Sequence, residues 1–358
     1  PAHTWNTAVY TDGPVVDGVL QGNLYLQGGG DPKLVSERLW LLMRRIQGLG
    51  LRRIAGDIVL DRRAWSLPPA DPAAFDGEPL RPYNAAPDAL LVNFRSLMLT
   101  FSPDPAGGAA LVSMEPPLAG VSVPARVPMQ GGQAGGCGDW RAGLKADFTD
   151  PLRIRFNGAY PAACGEKTWP VAYAAPERFA ERAALGMWQA VGGQLDGQAR
   201  EGAVPAGLAP RLLWPSLPLA EVVRDVNKFS NNVMAQQLLL SLAPAGPGTP
   251  ATFEAARQRV GQWWRERISA ELPVPEIDNG AGLSRSARVS AQALARLLQV
   301  AYLSGQMPEL MASLPLSGHD GTLRRSQNAV GLAHLKTGSL KDRKSTRLNS
   351  SHRPLSRM

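Results

Sequence analysis

Glycine and proline interrupt this chain too often for it to fold as a bundle of long helices. Its 358 residues include 37 Gly and 31 Pro, and both types end or bend regular elements. Many turns and short strands are therefore expected. Hydrophobic residues make up 44% of the chain, enough to bury a sizeable core. At roughly 100–200 residues per domain, the length allows two or three domains. No run approaches the ~20 apolar residues that cross a bilayer as a helix.

The punctuation changes character along the chain. In GNLYLQG, Leu24 and Leu26 alternate with polar neighbours, which predicts a short half-buried strand. GGGDPKL stops it, with Asp31 placed as an N-cap and Pro32 in the first turn of a helix. Leu34, Val35, Leu39, Leu42, Met43 and Ile46 follow at helical spacing, and Gly48 and Gly50 mark the stop. Ile54, Ile58 and Leu60 alternate through RIAGDIVLD, predicting another strand. Residues 61–88 are Pro-rich and turn-like. Residues 90–170 hold short apolar runs (LLVNF, LMLTF, ALVSM, VSVPARV, RIRF), the texture of a small β-rich domain. From about residue 211 helical periodicity takes over. Leu219, Val222, Val223 and Val226 form one stripe, broken at NKFSNN and resumed in VMAQQLLLSLA. A second helix is predicted from an N-cap at Ser290 through Leu294, Leu297, Leu298 and Ala301 to Gly305.

The two cysteines, Cys137 and Cys164, match no CxxC metal or redox pattern. They are either two unrelated thiols or a disulfide closing a loop in an oxidising compartment. The net charge of +8 suggests a polyanionic partner only until its location is read. Residues 343–358 hold Arg343, Lys344, Arg347, Arg353 and Arg357 and no acid, so residues 1–342 carry the remaining +3. A nucleic-acid role is accordingly not expected. That tail reads as a non-native, adaptor-like extension rather than part of a fold.

Several chemistries find no residues here. The histidines, His3, His319, His334 and His352, are scattered without HExxH or Cys/His spacing, so no metal site is expected. Ser284 in GLSRS misses the G-x-S-x-G elbow. Gly28–Gly30 is no G-x-G-x-x-G, and GLAHLKT lacks the Gly that precedes a Walker lysine. What remains is Ser230-Asn231-Asn232 between two helical segments and, downstream, Lys336-Thr337-Gly338. Either alone is ordinary: Ser230 could cap the next helix, and Gly338 could turn a strand end. In this order they are two of the three elements, S-x-x-K, S-x-N and K-T-G, of serine acyltransferases that recognise penicillin. The serine needs a base, and a lysine one helical turn away serves. A second hydroxyl relays the proton to the leaving amine, an amide holds the substrate backbone, and K-T-G supplies a cation, a hydroxyl and an oxyanion N–H.

Longer stretches make the likeness specific: GVLQGNLYLQGGGDPKL, RIAGDIVLD, YNAAPDALLVNF, the cysteine pair, KFSNNVMAQQLL, DNGAGLSR, LPLSGHDGTLR and LKTGSLKD. Over nearly all of residues 1–342 the chain resembles the D-alanyl-D-alanine carboxypeptidase/endopeptidase family, the class C (DacB-type) low-molecular-mass penicillin-binding proteins. The resemblance implies an α+β fold: a serine β-lactamase-like catalytic domain, an antiparallel sheet flanked by helices, interrupted by two inserted β-rich domains. On that map residues 1–210 are insertion, with a second nested insertion at roughly 85–170, and residues 211–342 return to the catalytic domain. The family's activity is serine-type hydrolysis of peptidoglycan stem peptides through an acyl-enzyme, with β-lactams as inhibitors, no cofactor and a periplasmic or extracytoplasmic location.

By motif match, Ser230 is the proton-relay hydroxyl and Asn232 the substrate-amide contact. Lys336 and Thr337 take the terminal D-Ala carboxylate, and Gly338 and Ser339 bring a backbone N–H to the oxyanion. Asp278 and Arg285 line the substrate pocket, although Asp278 also reads as a plain turn residue before Gly280. No serine here is followed three places on by lysine. The nucleophile and a signal peptide are therefore expected upstream of Pro1. The chain is expected to be cut at both ends and not to turn over substrate. The alternative is a nonenzymatic peptidoglycan- or penicillin-binding pseudoenzyme.

Overall fold

A computed structural model describes residues 1–130, 136–244, 246 and 248–338. Its architecture is α+β, with two five-stranded sheets in the first part of the chain and helices predominating after residue 215. The first sheet runs in the order Ala199–Glu201, Ile58–Asp61, Leu24–Gln27, Asn6–Thr11, Leu212–Pro215. The first three strands are mutually parallel, and the last two add antiparallel. The expected strand around Leu24 is present, whereas RIAGDIVLD forms two short strands rather than one, Arg53–Ile54 in a separate four-stranded sheet and Ile58–Asp61 in this one; Leu24–Gln27 and Ile58–Asp61 are buried on both faces rather than one. Tyr25 is as enclosed as Leu24 and Leu26, and Val59 as Ile58 and Leu60. Parallel strands covered by helices have no solvent face, so side-chain alternation in sequence does not become alternation in burial.

The covering helices are α1 (Ser36–Gly48), which buries Leu39, Leu42, Met43 and Ile46, and α3 (Phe179–Ala190), which packs on Ile58–Asp61; the short α2 (Trp140–Leu144) lies instead against Tyr160–Pro161. Helix α1 stops where Gly48 and Gly50 predict, Gly50 lying at φ +91°. Its start is a correction. Asp31 does not cap it: the helix begins at Ser36, and Asp31 is buried, its Oδ1 accepting from the Lys33 N–H at 2.8 Å. The free N–H of Ser36 donates instead to Asn93 Oδ1 at 3.1 Å, a partner 57 residues away. The same Asn93 donates through Nδ2 to Ser96 O at 2.8 Å. LLVNF therefore ends in a left-handed turn at Asn93, Phe94 and Arg95 rather than in a strand.

The second sheet has the order Tyr160–Pro161, Arg126–Gln130, Ala109–Glu115, Ser96–Asp104, Lys167–Ala172. Here the period-2 pattern holds: Leu97, Leu99 and Phe101 are buried while Met98 faces out. Phe101 stacks on Tyr160, with Trp140 and Phe156 edge-on to it. Beside this aromatic cluster Cys137 and Cys164 form a disulfide.

Five helices follow: α4 (Leu219–Phe229), α5 (Asn232–Leu240), α6 (Phe253–Arg267), α7 (Ala291–Tyr302) and α8 (Met307–Ser313). The α4 stripe buries Val222 against Trp5 and Met234, with Leu219 and Val226 at its edge. Ser290 caps α7 as predicted, its Oγ accepting from the Ala293 N–H at 3.0 Å. The α7 stripe is less buried than its pattern suggests, because Leu294 and Leu298 are exposed along with Tyr302 and Leu303. Among the described residues, β-structure after residue 216 is limited to isolated bridges, including Leu316 with His334. No helix of the described residues is long and apolar enough to cross a membrane.

Candidate active site

The S-N-N triplet lies where α4 gives way to α5. Ser230 ends α4 in the left-handed conformation, φ 56° and ψ 47°. Asn231 then caps α5, its Oδ1 accepting from the Met234 N–H at 3.1 Å. The capping role weighed for Ser230 thus falls to Asn231, which leaves the Ser230 hydroxyl for other contacts. A non-glycine residue in this region carries a strain of about 1–2 kcal/mol.

Lys336 meets that hydroxyl. Its Nζ donates to Ser230 Oγ at 2.7 Å and to Thr337 O at 2.9 Å. Among the described residues no carboxylate lies within ion-pair distance of Lys336, and burial of the ammonium lowers its pKa from the ordinary lysine value. An ammonium held beside a hydroxyl, with no carboxylate partner among the described residues, is the arrangement that accepts an anionic ligand. Thr337 Oγ1 lies 2.7 Å from Thr322 Oγ1, a contact that no sequence pattern had singled out. Thr322 belongs to the GHDGTLR loop. That loop is anchored to α4 by Asp320, whose Oδ2 accepts from Lys228 Nζ at 2.5 Å and whose Oδ1 accepts from the Leu316 N–H at 2.8 Å. Lys228 is buried and also donates to Leu314 O at 2.7 Å. Desolvation raises the Asp320 pKa, but the Lys228 ammonium and the Leu316 N–H outweigh it, and the carboxyl titrates below the usual range.

The contacts described for the other candidates are not to this pair. Asn232 Nδ2 reaches Tyr83 O at 3.4 Å. Arg285 stacks over the Phe75 ring, 5.4 Å from its centroid, and donates to Phe75 O. Asp278 is half-buried, and its carbonyl accepts from Arg257 at 3.0 Å. The turn that follows is made by Asn279, whose Oδ1 accepts from the Ala281 N–H. Phe75, Tyr83 and Asn279 all line a cleft of about 680 Å³, which extends past Trp65 to the Arg62–Asp88–Arg95 ion cluster. Ser230, Asn232, Lys336 and Thr337 do not line it. The Ser230–Lys336 contact therefore lies outside this cleft. A Cβ at Gly338 would meet nothing within 4 Å among the described residues. Ser339 lies outside the described residues, as does the basic tail.

The sequence model of the D-Ala-D-Ala carboxypeptidase 3 (S13) family matches residues 1–345. The chain belongs to this family. It is 24% identical over 356 residues to the D-alanyl-D-alanine carboxypeptidase DacB of Haemophilus influenzae, covering 94% of this chain and 70% of that relative. It is 26% identical over 360 residues to a D-alanyl-D-alanine carboxypeptidase of Actinomadura sp., covering 94% of this chain and 65% of that one. Among solved structures, the fold superimposes on penicillin binding protein 4 (dacB) from H. influenzae with a TM-score of 0.68 at 21% identity, over 95% of this chain and 75% of that one. The same protein complexed with a β-lactam gives 0.65, also at 21% identity, over 95% and 74%. Membership in this family makes the chain kin to serine-type carboxypeptidases of the penicillin-binding kind, and the α+β fold is theirs.

Proposed function

We propose that residues 211–342 form the substrate-facing part of a serine-type D-Ala-D-Ala carboxypeptidase/endopeptidase acting on peptidoglycan stem peptides, with residues 1–210 as the domains inserted into it. The observation that carries this reading is the 2.7 Å contact from Lys336 Nζ to Ser230 Oγ, which joins S-N-N to K-T-G. Lys336 and Thr337 bind the carboxylate of the terminal D-Ala. Because the ammonium donates to the Ser230 oxygen, the Ser230 proton is free to be given away. In acylation, the attacking serine forms a C–O bond at the penultimate carbonyl while the C–N bond to the last D-Ala breaks. Ser230 delivers the proton that the leaving amine requires, drawing a replacement from the attacking side. Asn232 holds the substrate amide, the Gly338–Ser339 backbone supplies the oxyanion N–H, and Asp278 and Arg285 bound the pocket. β-Lactams enter as inhibitors through the same carboxylate contact. An extracytoplasmic location follows from the substrate and is supported by the disulfide.

A second reading, a nonenzymatic peptidoglycan- or penicillin-binding protein, is favoured by one observation: the 358 residues hold no S-x-x-K. A fluorescent penicillin is accordingly expected to leave no covalent label on this chain. Stoichiometric labelling would place a nucleophile within it and end the second reading. The shared claim of both readings is tested by titrating a peptide that ends in D-Ala-D-Ala against its C-terminal amide. Tighter binding of the free carboxylate is expected. Equal binding of the two, or none, overturns the proposal.

A further inference from the structure

The S-N-N and K-T-G triplets are joined at two places. One is the Lys336–Ser230 hydrogen bond. The other runs through the GHDGTLR loop. From Ser230 the chain steps back through Phe229 to Lys228, whose Nζ binds Asp320 Oδ2 at 2.5 Å. Asp320 leads through Gly321 to Thr322, whose Oγ1 lies 2.7 Å from Thr337 Oγ1. Thr337 adjoins Lys336, whose Nζ returns to Ser230 at 2.7 Å. The result is a closed ring of covalent and hydrogen-bonded links. Its backbone fit is tight: Gly321 lies at φ +54°, and a Cβ there would come within 2.5 Å of Lys228 O. Only glycine lets the loop lie so close to the last turn of α4.

We propose that Thr322 and Asp320 are positioning residues. Asp320, through Lys228, holds the GHDGTLR loop against α4, and Thr322 orients the Thr337 hydroxyl toward a carboxylate on Lys336. The direction follows from electrostatics. Two hydroxyls in contact share one proton, and either can be the donor. With an anion at Lys336, the favoured chain runs from Thr322 to Thr337 to the carboxylate, each O–H donating toward the negative charge and polarising the next. Thr322 thereby makes Thr337 a donor. The site then discriminates a free carboxylate from a neutral amide by more than the lysine charge alone. This role rests on the reading of Lys336 and Thr337 as the carboxylate-binding pair.

The test has two arms. In the ligand-free chain, Thr322→Val and Asp320→Asn should shift the backbone amide resonances of Ser230 and of Lys336–Gly338 while leaving those of Ser96–Asp104 in place. Thr322→Ser, which keeps the hydroxyl, should restore the native positions. Unmoved resonances at Ser230 and Lys336–Gly338 would overturn the ring. A loss spread over Ser96–Asp104 as well would mark a merely structural role and also overturn it. In the second arm, Thr322→Val should cut the preference for the D-Ala-D-Ala carboxylate over its amide by about fivefold, the loss of one ordinary hydrogen bond, and Thr322→Ser should regain it. An unchanged preference would overturn the orienting role. If the unsubstituted chain shows no carboxylate preference at all, the functional reading falls and the orienting role with it. The ligand-free arm still decides whether the ring exists.

Discussion

Lys336 Nζ donates to Ser230 Oγ at 2.7 Å, across 106 residues of sequence. Each residue belongs to a triplet that occurs readily by chance. The contact turns two cheap patterns into one site, because a lysine with no carboxylate partner among the described residues has been brought to the S-x-N serine that stands between α4 and α5. Local chemistry explains how the serine is made available. Asn231 takes the capping role, so Ser230 is left at a left-handed helix end with its hydroxyl turned to the cation.

That backbone conformation can be separated from the hydroxyl. Ser230→Gly keeps the turn, and glycine adopts φ +56° without the strain of a Cβ. The melting temperature is expected to stay level or rise, by up to about 1 kcal/mol of stability. Affinity for a D-Ala-D-Ala peptide should fall in the same variant. Thermal denaturation and equilibrium binding on one preparation check both halves.

The Lys228–Asp320 pair makes a stability prediction. Lys228 is 9% exposed and Asp320 44%, so removing the acid leaves a nearly buried ammonium whose remaining partner among the described residues is Leu314 O. Asp320→Ala should cost about 1–3 kcal/mol, below the loss for a wholly buried pair because the acid side is wet. Replacing both residues by apolar ones should recover part of that loss. Chemical denaturation of the two single variants and the double variant measures it as a cycle.

Much of this arrangement was legible in the residues, and the failures share one cause. Ser290 starts α7 through its own neighbour Ala293, and the alternation of Leu97, Leu99 and Phe101 puts them in the core, because both are local rules. Asp31 is equally well placed to cap α1, yet the cap comes from Asn93, 57 residues away. No local pattern records that partner. Thr322 is missed in the same way. GHDGTLR marks the family, but a hydroxyl touching another hydroxyl is a tertiary fact. Leu294 and Leu298 follow the helical period faithfully and are exposed nonetheless, since periodicity assigns a face and not what covers it. The hydrogen bonds described for Asn232 and Arg285 run to Tyr83 and Phe75 rather than to Lys336.

Acid should weaken the first sheet through Asp61. Its side chain is 1% exposed. Burial alone would raise its pKa, but Arg63 and the N–H groups of Val204 and Arg63 outweigh that and bring it down to about 2. The folded value lies below the model-peptide value of 3.8. The carboxylate's contribution, about 2 kcal/mol, is thus full above pH 4–5 and is lost as pH falls toward about 2. Asp61→Asn should lower stability at neutral pH and flatten the acid limb of the profile. Denaturation midpoints at pH 7 and pH 3 measure the difference.

Reduction should loosen the second sheet. The Cys137–Cys164 disulfide closes a loop with a sequence separation of 27, worth about 3–4 kcal/mol by restriction of the unfolded chain. Trp140, whose ring packs on Phe101 and Tyr160, lies inside that loop. Adding a reductant, or replacing both cysteines by alanine, should lower the melting temperature and change the near-ultraviolet dichroism of the aromatic cluster.

What Lys336 contributes to the binding of an anion can be read as an affinity. Isothermal titration of a D-Ala-D-Ala peptide into the chain and into Lys336→Ala measures it. Loss of a charge-assisted contact of about 1.5–3 kcal/mol predicts affinity weaker by about 10- to 100-fold, with the amide-terminated peptide scarcely affected. Equal affinity of both proteins for the carboxylate peptide would contradict the joining of S-N-N and K-T-G into one substrate site.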